Sequence, residues 1–558
     1  MRYPKEEIEN YRREAGELEN DLIDEYREGS VTRLEFIRAG SVLGMSIPLL
    51  GLIAGPAEAA MARPARVAAP RAGTLRIGGV IPDGSLEPPL LQSLGALGYS
   101  HIAGEQLVFA DKNAVLRPRL ATSWKASRGG RSWTFQIRQG VKFHDGTPMT
   151  VDDIVTTFQR LLGPDSQAQS SYKGVIGSVH KVGSKAVRFD LEAPNGLFPY
   201  LTGQMTYQAI ILPRSYKMPA DLSKPGEWTQ HMNGTGPFKL KANRGAAGLS
   251  FVANDQYWGG KPAIDNLEVQ ILEDQARVTA LQSGQIDLAV QISYQGAQQL
   301  AKAGQKVLPI KSANHRLLNM NVNKAPFKDV RVRQAIALAL NRPDITRGLW
   351  GQYGQIGNDS PMWPGYPYTS HSVPQRHQDI AKAKALLKAA GAENLKLTLT
   401  CYRSFEMPDY AQRVAQALKK IGIDCTVKVY TSAQYFDGVS FGAKGKLAPW
   451  LGTDFGIIDY GGRPVPLTYL TSALKSGGVW NASRYHSKKF DRTLASFIGS
   501  PDLGGQKKYA KQLQQLLLKD TPAIYSYFYN FIAASSPKVH GYVPDGMAVV
   551  NLRGVTIG

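Results

Sequence analysis

Strand-type and helix-type patterns alternate along most of this 558-residue chain, and that alternation constrains the fold most strongly. The clearest unit has a strand pattern at 395–401, a helix over 408–420 that opens on a proline, and a second strand pattern at 423–430. A strand, a helix and a strand within about 36 residues are typical of a βαβ unit. A strand at 132–137 and a helix at 150–162 repeat the alternation. The body is therefore expected to be mixed α/β.

Two further helices are expected in the second half of the body. Residues 379–390 show helical spacing of apolar side chains and are followed by a glycine that suits a helix C-terminus. In 330–340 the apolar residues form one face, which places Arg331 and Arg333 on the outside.

Composition narrows the class of function. The chain is 43% hydrophobic and 20% charged, as globular proteins are, and its length suggests three or four domains of about 150 residues each. The net charge is +21, although residues 1–30 hold five basic and ten acidic side chains. The body is thus attracted to anionic surfaces. Its lysines and arginines are scattered, however, without a dense basic run or a nucleic-acid module, which argues against a nucleic-acid partner.

The N-terminal part of the chain has the layout of an exported protein. Residues 1–30 predict an acidic, charge-rich helix, 31–62 an export signal, and 63–72 a linker rich in proline and alanine. The signal has a basic start, a modest apolar stretch at 41–54 and small residues at 57–62 that suit cleavage. A periplasmic protein, peripheral to the membrane, is expected.

The route of export is less defined by the sequence. Thr32 to Arg38 reads TRLEFIR and resembles a twin-arginine export motif, except that Leu34 stands where the second arginine belongs. No cysteine follows the apolar stretch, so a lipoprotein anchor is not expected. An uncleaved signal anchor is the alternative, although the stretch is short for a spanning helix and contains Pro48.

The chain has only two cysteines, which excludes a disulfide scaffold and a multi-cysteine metal site. Cys401 and Cys425 fall in the two predicted strands of the βαβ unit. If these strands are neighbours, a disulfide closing a 24-residue loop would stabilise the protein by about 3 kcal/mol. Two buried thiols are the alternative.

Signatures of common enzyme classes are absent. There is no G-x-S-x-G, G-x-x-x-x-G-K-[ST], H-E-x-x-H or C-x-x-C, and the glycines at 234 and 236 do not continue as G-x-G-x-x-G. The nine histidines are scattered, and no cofactor or metal is expected. A secreted hydrolase is an alternative that no nucleophile or acid–base signature supports.

Six motifs occur in a fixed order along the body. They are the stretch 116–162 (LRPRLATSWK to VTTFQRLL), NGTGPFKL at 233–240, NDQYW at 254–258, LQSGQIDL at 281–288, 317–342 (LLNMNVNKAPFKDVRVRQAIALALNR), and NASRY with the following FD at 481–491. Together they resemble the family 5 extracellular solute-binding proteins, the dipeptide and oligopeptide receptors of ABC importers. The resemblance runs from about residue 73 to residue 558. It implies an α/β fold like that of type II periplasmic binding proteins, with two hinged lobes and an extra inserted domain.

The resemblance also implies where the lobes begin and end. Lobe I would comprise 73–112, 232–318 and 528–558, the inserted domain II 113–231, and lobe III 319–527. A ligand would be buried between lobes I and III, and closure follows because a bound solute contacts both. The closed monomer would dock on a membrane permease, and separate ATPase subunits would supply the energy.

In peptide receptors of this family, an aspartate in a W-x-x-D-Y stretch of lobe III holds the α-ammonium of the peptide, for which a buried carboxylate is the natural counter-ion. Here Asp459 and Tyr460 match the Asp-Tyr pair, but Gly456 replaces the tryptophan. Asp454 follows Trp450 by four positions, one more than the W-x-x-D spacing requires. Asp459 is therefore the favoured anchor and Asp454 the second candidate.

The other candidate ligand contacts are basic, aromatic or amide side chains. Arg463 is able to bind a carboxylate or phosphate through two parallel hydrogen bonds. Trp363 and Tyr366 lie in a proline-rich loop, and Trp480 precedes Asn481; loop aromatics suit apolar or sugar faces. The favoured ligand is a short peptide. An oligosaccharide, an opine or a metal chelate is the alternative within the same role, and a periplasmic scaffold or chaperone is an alternative of another class.

Overall fold

The computed structural model describes residues 5–55, 72–82, 84–439, 441 and 445–558. The expected cleavage sites and nearly all of the linker lie outside these residues. Four helices precede the body: α1 Lys5–Glu14, α2 Glu17–Arg27, α3 Arg33–Leu43 and α4 Ile47–Ala54. The acidic segment thus forms two helices rather than one.

The segment expected to be an export signal is folded against the body. Helix α3 starts at a capping box in which Thr32 and Glu35 bond each other's backbone. Its Phe36 is fully buried, and Arg38 donates to the carbonyl oxygen of Gly365 in lobe III at 2.8 Å. In domain II, the Trp124 indole donates to a carbonyl of α3 at 3.0 Å. Helices α3 and α4 therefore share one apolar core with domain II.

The first half of the body contains the start of lobe I and domain II. Its elements are β1 Ala72–Gly79, α5 Leu94–Ala103, β2 Val108–Ala110, β3 Leu116–Pro118, β4 Ala121–Ser127, β5 Ser132–Ile137, α6 Val151–Leu162, α7 Gln169–Tyr172, β6 Ile176–Val182, β7 Ala186–Leu191, α8 Phe198–Leu201 and α9 Glu227–His231. The strand expected at 132–137 is β5 and the helix expected at 150–162 is α6, so both predictions are confirmed. Domain II is built on an antiparallel sheet of order β4-β5-β7-β6.

The chain then completes lobe I and forms lobe III. The elements are β8 Phe238–Asn243, β9 Leu249–Ala253, β10 Ile264–Ile271, α10 Asp274–Gln282, β11 Leu288–Ala289, α11 Tyr294–Lys302, β12 Lys306–Met320, α12 Val330–Ala339, α13 Arg342–Trp350, β13 Gly354–Ile356, α14 Ile380–Ala389, β14 Lys396–Tyr402, α15 Met407–Lys419, β15 Asp424–Tyr430, α16 Ser432–Phe436, α17 Pro449–Gly452, β16 Phe455–Tyr460, a π-helical segment Tyr469–Leu474, α18 Lys488–Gly499, α19 Leu503–Asp520, β17 Ala523–Ser535, β18 Val539–His540 and β19 Thr556–Ile557. The helices expected at 330–340 and 379–390 are α12 and α14, which confirms both.

One large sheet connects lobe I with lobe III. Its strand order is β15-β14-β16-β12-β17-β11-β1-β10-β9-β8, with β13 also pairing with β17. The long strands β12 and β17 pair antiparallel from Lys306 opposite Ser535 to Asn319 opposite Ala523, with two register shifts near residue 315. The lobe boundaries expected at 318 and 527 fall inside these two strands.

The βαβ unit in lobe III forms as predicted, but its cysteines do not pair. Strands β14 and β15 are parallel neighbours, with Cys401 opposite Val429 and Cys425 opposite Leu397. Four residues of strand separate the thiols, or about 13 Å, which is beyond the reach of a disulfide. Both cysteines are free. Of the two alternatives left open by the sequence, the disulfide is therefore excluded and two unpaired thiols are observed, because periodicity predicts a strand but not its register.

One helix face also differs from the expectation. Arg331 of α12 is exposed, but Arg333 is buried and donates to the carbonyl oxygens of Phe327 and Asp520. The guanidinium satisfies backbone oxygens at the end of α19, a long way along the sequence from Arg333. Among the residues that the structure describes, no helix combines the length and hydropathy needed to cross a membrane.

Candidate ligand-binding site

The candidate site lies where β16 ends beside the crossing strands. Strand β16 pairs antiparallel with β12, so that Asp459 lies opposite Arg316 and Tyr460 opposite His315. The chain then turns through two glycines toward lobe I, where a Cβ at Gly461 would lie only 3.1 Å from Leu94. The end of β16 therefore lies against Leu94, which belongs to the segment expected to begin lobe I.

The neighbours of Gly456 explain why a glycine occupies the position of the family's tryptophan. A Cβ added at Gly456 would lie 2.5 Å from Thr453, 2.9 Å from Thr400 and 3.0 Å from the hydroxyl of Tyr435. These contacts are too short for any side chain. Position 456 is thus occupied by neighbouring polar groups, and an aromatic ring has no room there.

Asp459 belongs to a buried charge cluster. Its Oδ1 accepts hydrogen bonds from the guanidinium of Arg316 and, at 2.8 Å, from the hydroxyl of Tyr529. The other arm of Arg316 bonds Glu406 at 3.0 Å, and Tyr527 donates to Glu406 at 2.7 Å. Two carboxylates thus share one guanidinium, so the cluster carries one uncompensated negative charge.

Within the cluster, Arg316 and Glu406 are buried, and only Asp459 reaches solvent. The side chain of Arg316 has no exposure and that of Glu406 has 2%, whereas Asp459 keeps 17%. Among the described residues, the second oxygen of Asp459 has no hydrogen-bond partner. Burial alone would lower the pKa of Arg316, but Asp459 and Glu406 raise it well above its ordinary value. The guanidinium therefore stays charged and fixes the aspartate.

Arg463 lies four residues further on and has a different environment. Its Nη1 donates to the hydroxyl of Tyr207 at 2.6 Å, and its Cζ lies 4.3 Å from the centre of that ring. Its Nε is shut off from solvent without a hydrogen-bond partner, and within the described part of the chain no carboxylate forms an ion pair with it. Its backbone oxygen accepts from Tyr366 at 2.8 Å. Burial would lower the pKa of Arg463, but the surrounding tyrosines, Tyr207 first, raise it.

Unpaired polar atoms continue from Arg463 into β12 and β16. The amide Nδ2 of Asn314, the Nε2 of His315 and the hydroxyl of Tyr460 are buried without partners. Asn314 accepts from the backbone N–H of Gly462, next to Arg463. Such unsatisfied groups are uncommon in protein interiors, and a solute or water is able to complete their bonding. Burial lowers the pKa of His315 to about 3, so its ring is neutral.

Two aromatic candidates flank this region. The ring of Tyr460 stacks on that of Trp480 with centroids 6.0 Å apart and an angle of 25°. Trp363 donates from its indole to Gln355 at 3.1 Å and packs edge-on against Tyr366 at 5.4 Å. Both tryptophans are half-buried, so each has one part in the core and one part at the surface.

The remaining sequence candidates lie in structural positions. Asp454 precedes β16, at the opposite end from Asp459, where it accepts from Asn321 at 2.7 Å and keeps 40% exposure. Trp450 is buried in α17 against Phe436. Asn481 holds its own loop together, since its Nδ2 donates to the carbonyl oxygens of Lys475 and Tyr485. The structure thus brings Asp459, Tyr460, Arg463, Tyr366 and Trp480 into one region and leaves Asp454, Trp450 and Asn481 outside it.

Sequence reasoning missed Arg316, Glu406 and Tyr207. No local signal marked Arg316, because the stretch 314–320 reads NHRLLNM and mixes polar with apolar residues. Its partners lie 90 and 143 residues away and have no local signature. No group of three or more His, Cys, Asp or Glu side chains suited to a metal ion occurs among the described residues.

Comparison with known proteins agrees with this architecture. Residues 115–478 match the model of the bacterial extracellular solute-binding proteins, family 5 Middle. Heme-binding protein A of Haemophilus influenzae is 27% identical over 507 residues, which cover 82% of this chain and 88% of that protein. The dipeptide-binding protein of Escherichia coli is 27% identical over 482 residues, covering 79% and 86%.

A solved structure shows the same fold. DppA of Helicobacter pylori, a periplasmic binding protein in complex with the peptide STSA, superimposes with a TM-score of 0.75 at 24% identity, covering 87% of this chain and 98% of that one. The expected type II periplasmic-binding-protein fold is thereby confirmed. Because the matched family model spans more than half of the sequence, the chain belongs to the family 5 bacterial extracellular solute-binding proteins.

Proposed function

We propose that this protein captures a short peptide between lobes I and III and delivers it to the permease of an ABC importer. The observation that carries the proposal is the open edge of Asp459 at the end of β16, beside a cluster with one excess negative charge. Relatives named as dipeptide-binding and di/tripeptide-binding proteins support a peptide as the ligand.

The charge cluster suits an α-ammonium group. Arg316 and Tyr529 hold one oxygen of Asp459 in place, which leaves the other oxygen for the ligand. A charge-assisted hydrogen bond to a pre-positioned carboxylate loses little side-chain entropy on binding. Glu406 keeps the cluster negative after Arg316 has paired with Asp459, so an incoming cation is attracted rather than repelled.

The crossing strands supply the mechanical part of the proposal. Strands β12 and β17 connect the lobes, and their pairing is interrupted by register shifts at 310–314 and 315–317. Irregular pairing weakens the ladder locally. A solute that contacts both lobes stabilises the closed form by its differential affinity for the two forms. The closed form would then dock on the permease as a monomer, and ATPase subunits would drive transport.

The test compares two aspartates at opposite ends of β16. Wild type, Asp459→Asn and Asp454→Asn are titrated calorimetrically with peptides selected from a di- and tripeptide library by thermal shift. Hydrogen bonds to charged groups contribute about 1.5–3 kcal/mol, so Asp459→Asn should lose about ten- to hundredfold in affinity and Asp454→Asn less than twofold. Unchanged affinity of Asp459→Asn with intact melting behaviour would remove Asp459 as the anchor.

The proposed function also requires export. Relatives are periplasmic binding proteins, and residues 31–62 are proposed to direct this chain to the same compartment. The intact mass of the protein recovered from outside the cytoplasm tests this, because cleavage after Ala59 or Ala62 removes α1 to α4. A protein that retains these helices would contradict the signal and make them a permanent part of the fold.

The solute should leave the protein chemically unchanged. The family consists of solute-binding proteins, and the site has no nucleophile paired with a base among its described residues. Incubation of bound peptide with the protein, followed by mass analysis of the peptide, should return the starting mass. A hydrolysed product that depends on the purified protein would contradict this.

A further inference from the structure

We infer that helices α1 to α4 act as a strap that ties domain II to lobe III and holds the two together until the strap is removed. The strap is the segment 5–55, and its partners are the segments expected to form domain II (113–231) and lobe III (319–527). The inference rests on the proposed receptor function, because it concerns how freely the two lobes separate. It gives a second role to the segment proposed to direct export.

The first argument is that one side chain of the strap bonds both partners. Arg38 of α3 donates from Nη1 to the carbonyl oxygen of Gly365 at 2.8 Å and from Nε to the carbonyl oxygen of Asn113. Hydrogen bonds from a charged donor are stronger than those between neutral groups. Arg38 therefore has to give up at least one strong bond when domain II and lobe III move apart.

The second argument is that α3 is bonded to each partner at further points. On the domain II side, Ser41 accepts from the backbone N–H of Leu116 at 3.0 Å, and the indole of Trp124 donates to a carbonyl of α3 at 3.0 Å. On the lobe III side, Lys507 lies 2.9 Å from Glu35. Opening thus requires α3 to leave one of its two partners.

The third argument is the apolar surface that the strap buries. Ile23 and Phe36 have no exposure and belong to the same apolar core as Leu197 of domain II and Leu503 of lobe III. Leu197 and Leu503 also line one cleft together with Leu22 of the strap. Undocking of the strap would expose this surface to water, so hydrophobic burial favours the tied form.

The strap bridges the line along which its two partners meet. The backbone N–H of Gly196 in domain II donates to the carbonyl oxygen of Ile498 in lobe III at 3.0 Å. The hydroxyl of Ser472 donates to the carbonyl oxygen of Ser170 at 3.4 Å. Domain II and lobe III are therefore in direct contact in this structure, which is the closed arrangement that the strap reinforces.

The consequence is a receptor whose opening depends on processing. A segment that bonds both sides of an interface stabilises the form in which both sets of contacts exist. Cleavage after Ala59 or Ala62 would remove that stabilisation together with the strap. The unprocessed chain should thus exchange solute slowly, and the processed receptor should open and close freely.

The experiment measures opening of the full-length chain without any ligand. Lys185→Cys in domain II and Lys384→Cys in lobe III introduce attachment points for two nitroxide labels at exposed positions. The two native cysteines are replaced by alanine. Pulsed electron paramagnetic resonance then gives the distribution of distances between the labels.

Two variants loosen the strap, and each has a matched control. Arg38→Gln removes the charged bonds to both partners, whereas Arg27→Gln removes an arginine whose ion pair lies inside the strap. A Cβ at Gly44 would overlap the backbone oxygen of Trp124, so Gly44→Ala pushes α3 away from domain II. Gly29→Ala is its control, because φ is positive there as well but a Cβ would meet no described atom within 4 Å.

Wild type and both controls should give one short distance. Arg38→Gln and Gly44→Ala should add a longer distance, with a population at least tenfold that in wild type. Cooperative melting shows which variants are folded, and Arg38→Gln decides alone if Gly44→Ala is not. An unchanged distance distribution in every loosened variant that folds, or an equal long-distance population in wild type, would overturn the inference.

The proposed function has a separate readout. A bound library peptide, followed by stopped-flow dilution, should leave Arg38→Gln at least tenfold faster than it leaves wild type. If the label distances widen but no peptide binds any of the proteins, the peptide proposal fails and the strap stands. If peptides bind but leave wild type and Arg38→Gln at the same rate, the strap inference fails and the receptor function stands.

Discussion

Arg316 and Arg463 are two arginines at the same end of β16, and they differ in what surrounds them. Arg316 is completely buried and bonds two carboxylates. Arg463 bonds a tyrosine hydroxyl and covers its ring, and among the described residues no carboxylate forms an ion pair with it. A buried cation with its counter-ions in place is a structural element, whereas the half-buried Arg463 has no carboxylate partner among the described residues and remains available to a ligand.

The comparison also explains the role of Asp459. The same residue serves the structural cluster through Oδ1 and faces the site with its second oxygen. The end of β16 thus has an acidic pole at Asp459 and a basic pole at Arg463. Four substitutions distinguish residues that stabilise the fold from residues that are available to a ligand. They are given from the largest expected effect on stability to the smallest.

Replacing Arg316 by Met should have the largest effect. The substitution leaves Glu406 and Asp459 as adjacent buried carboxylates without a cation, which typically costs about 3–5 kcal/mol. The free energy of unfolding, measured by denaturant titration, should fall by that amount, whereas Arg463→Gln should change it much less in the absence of ligand. Equal losses of stability in the two variants would contradict the distinction between a structural Arg316 and an Arg463 that is available to a ligand.

Replacing Gly456 by Ala should destabilise the start of β16. Its Cβ would lie 2.5 Å from Thr453 and 2.9 Å from Thr400, and overpacking of this kind costs about 1–3 kcal/mol. Gly452→Ala is the matched control, because its Cβ would meet only Leu447 at 4.0 Å. A tolerated alanine at 456 would show that the family tryptophan is absent for another reason.

The pH dependence of stability should report on His315, which lies between the poles. Burial, with smaller effects of Arg316 and Arg463, lowers the pKa of His315 to about 3, against about 6.5 when unfolded. Below about pH 6.5 the unfolded chain binds a proton that the folded protein excludes. The free energy of unfolding should therefore decrease by up to about 1.4 kcal/mol per pH unit on acidification.

His315→Phe should reduce that pH dependence, because it removes the buried titrating group and keeps an aromatic ring among Tyr469, Tyr525 and Phe528. The comparison variant His180→Gln removes an exposed histidine instead. An equally steep slope in His315→Phe would mean that other groups cause the acid sensitivity.

The smallest effect is expected at the exposed pair Lys324 and Asp454. Their charged atoms are 3.3 Å apart, and the side chains keep 62% and 40% of their exposure. Exposed ion pairs contribute at most about 1 kcal/mol. Lys324→Gln should therefore change the free energy of unfolding by less than that and leave ligand affinity unchanged. A large loss of ligand affinity would mean that Asp454 belongs to the ligand-binding site.

The sequence predicted the local elements of this protein well. The βαβ unit at 396–430 formed with its expected order and parallel pairing, because periodicity, a proline at the helix start and a glycine after its end act over short distances. Register was not predictable from the sequence, and it is the register that decides between the two alternatives for Cys401 and Cys425 in favour of free thiols. The burial of Arg333 was missed because its carbonyl partners come from distant segments.

The candidate site was only partly predictable for the same reason. Asp459 and Arg463 were selected by motif resemblance and by side-chain chemistry. Whether each has a counter-ion depends on residues as far away as Arg316, Glu406 and Tyr207, which converge only in the folded chain. Sequence reasoning therefore selected both residues as candidates but did not predict the difference between their surroundings.

The most direct test of the account is native mass spectrometry of the protein purified without refolding. A small solute with both an ammonium and an anionic group should accompany the wild type, and the double variant Asp459→Asn, Arg463→Gln should lack it although its cooperative melting transition shows that it is folded. A neutral solute retained equally by wild type and the double variant would contradict the account.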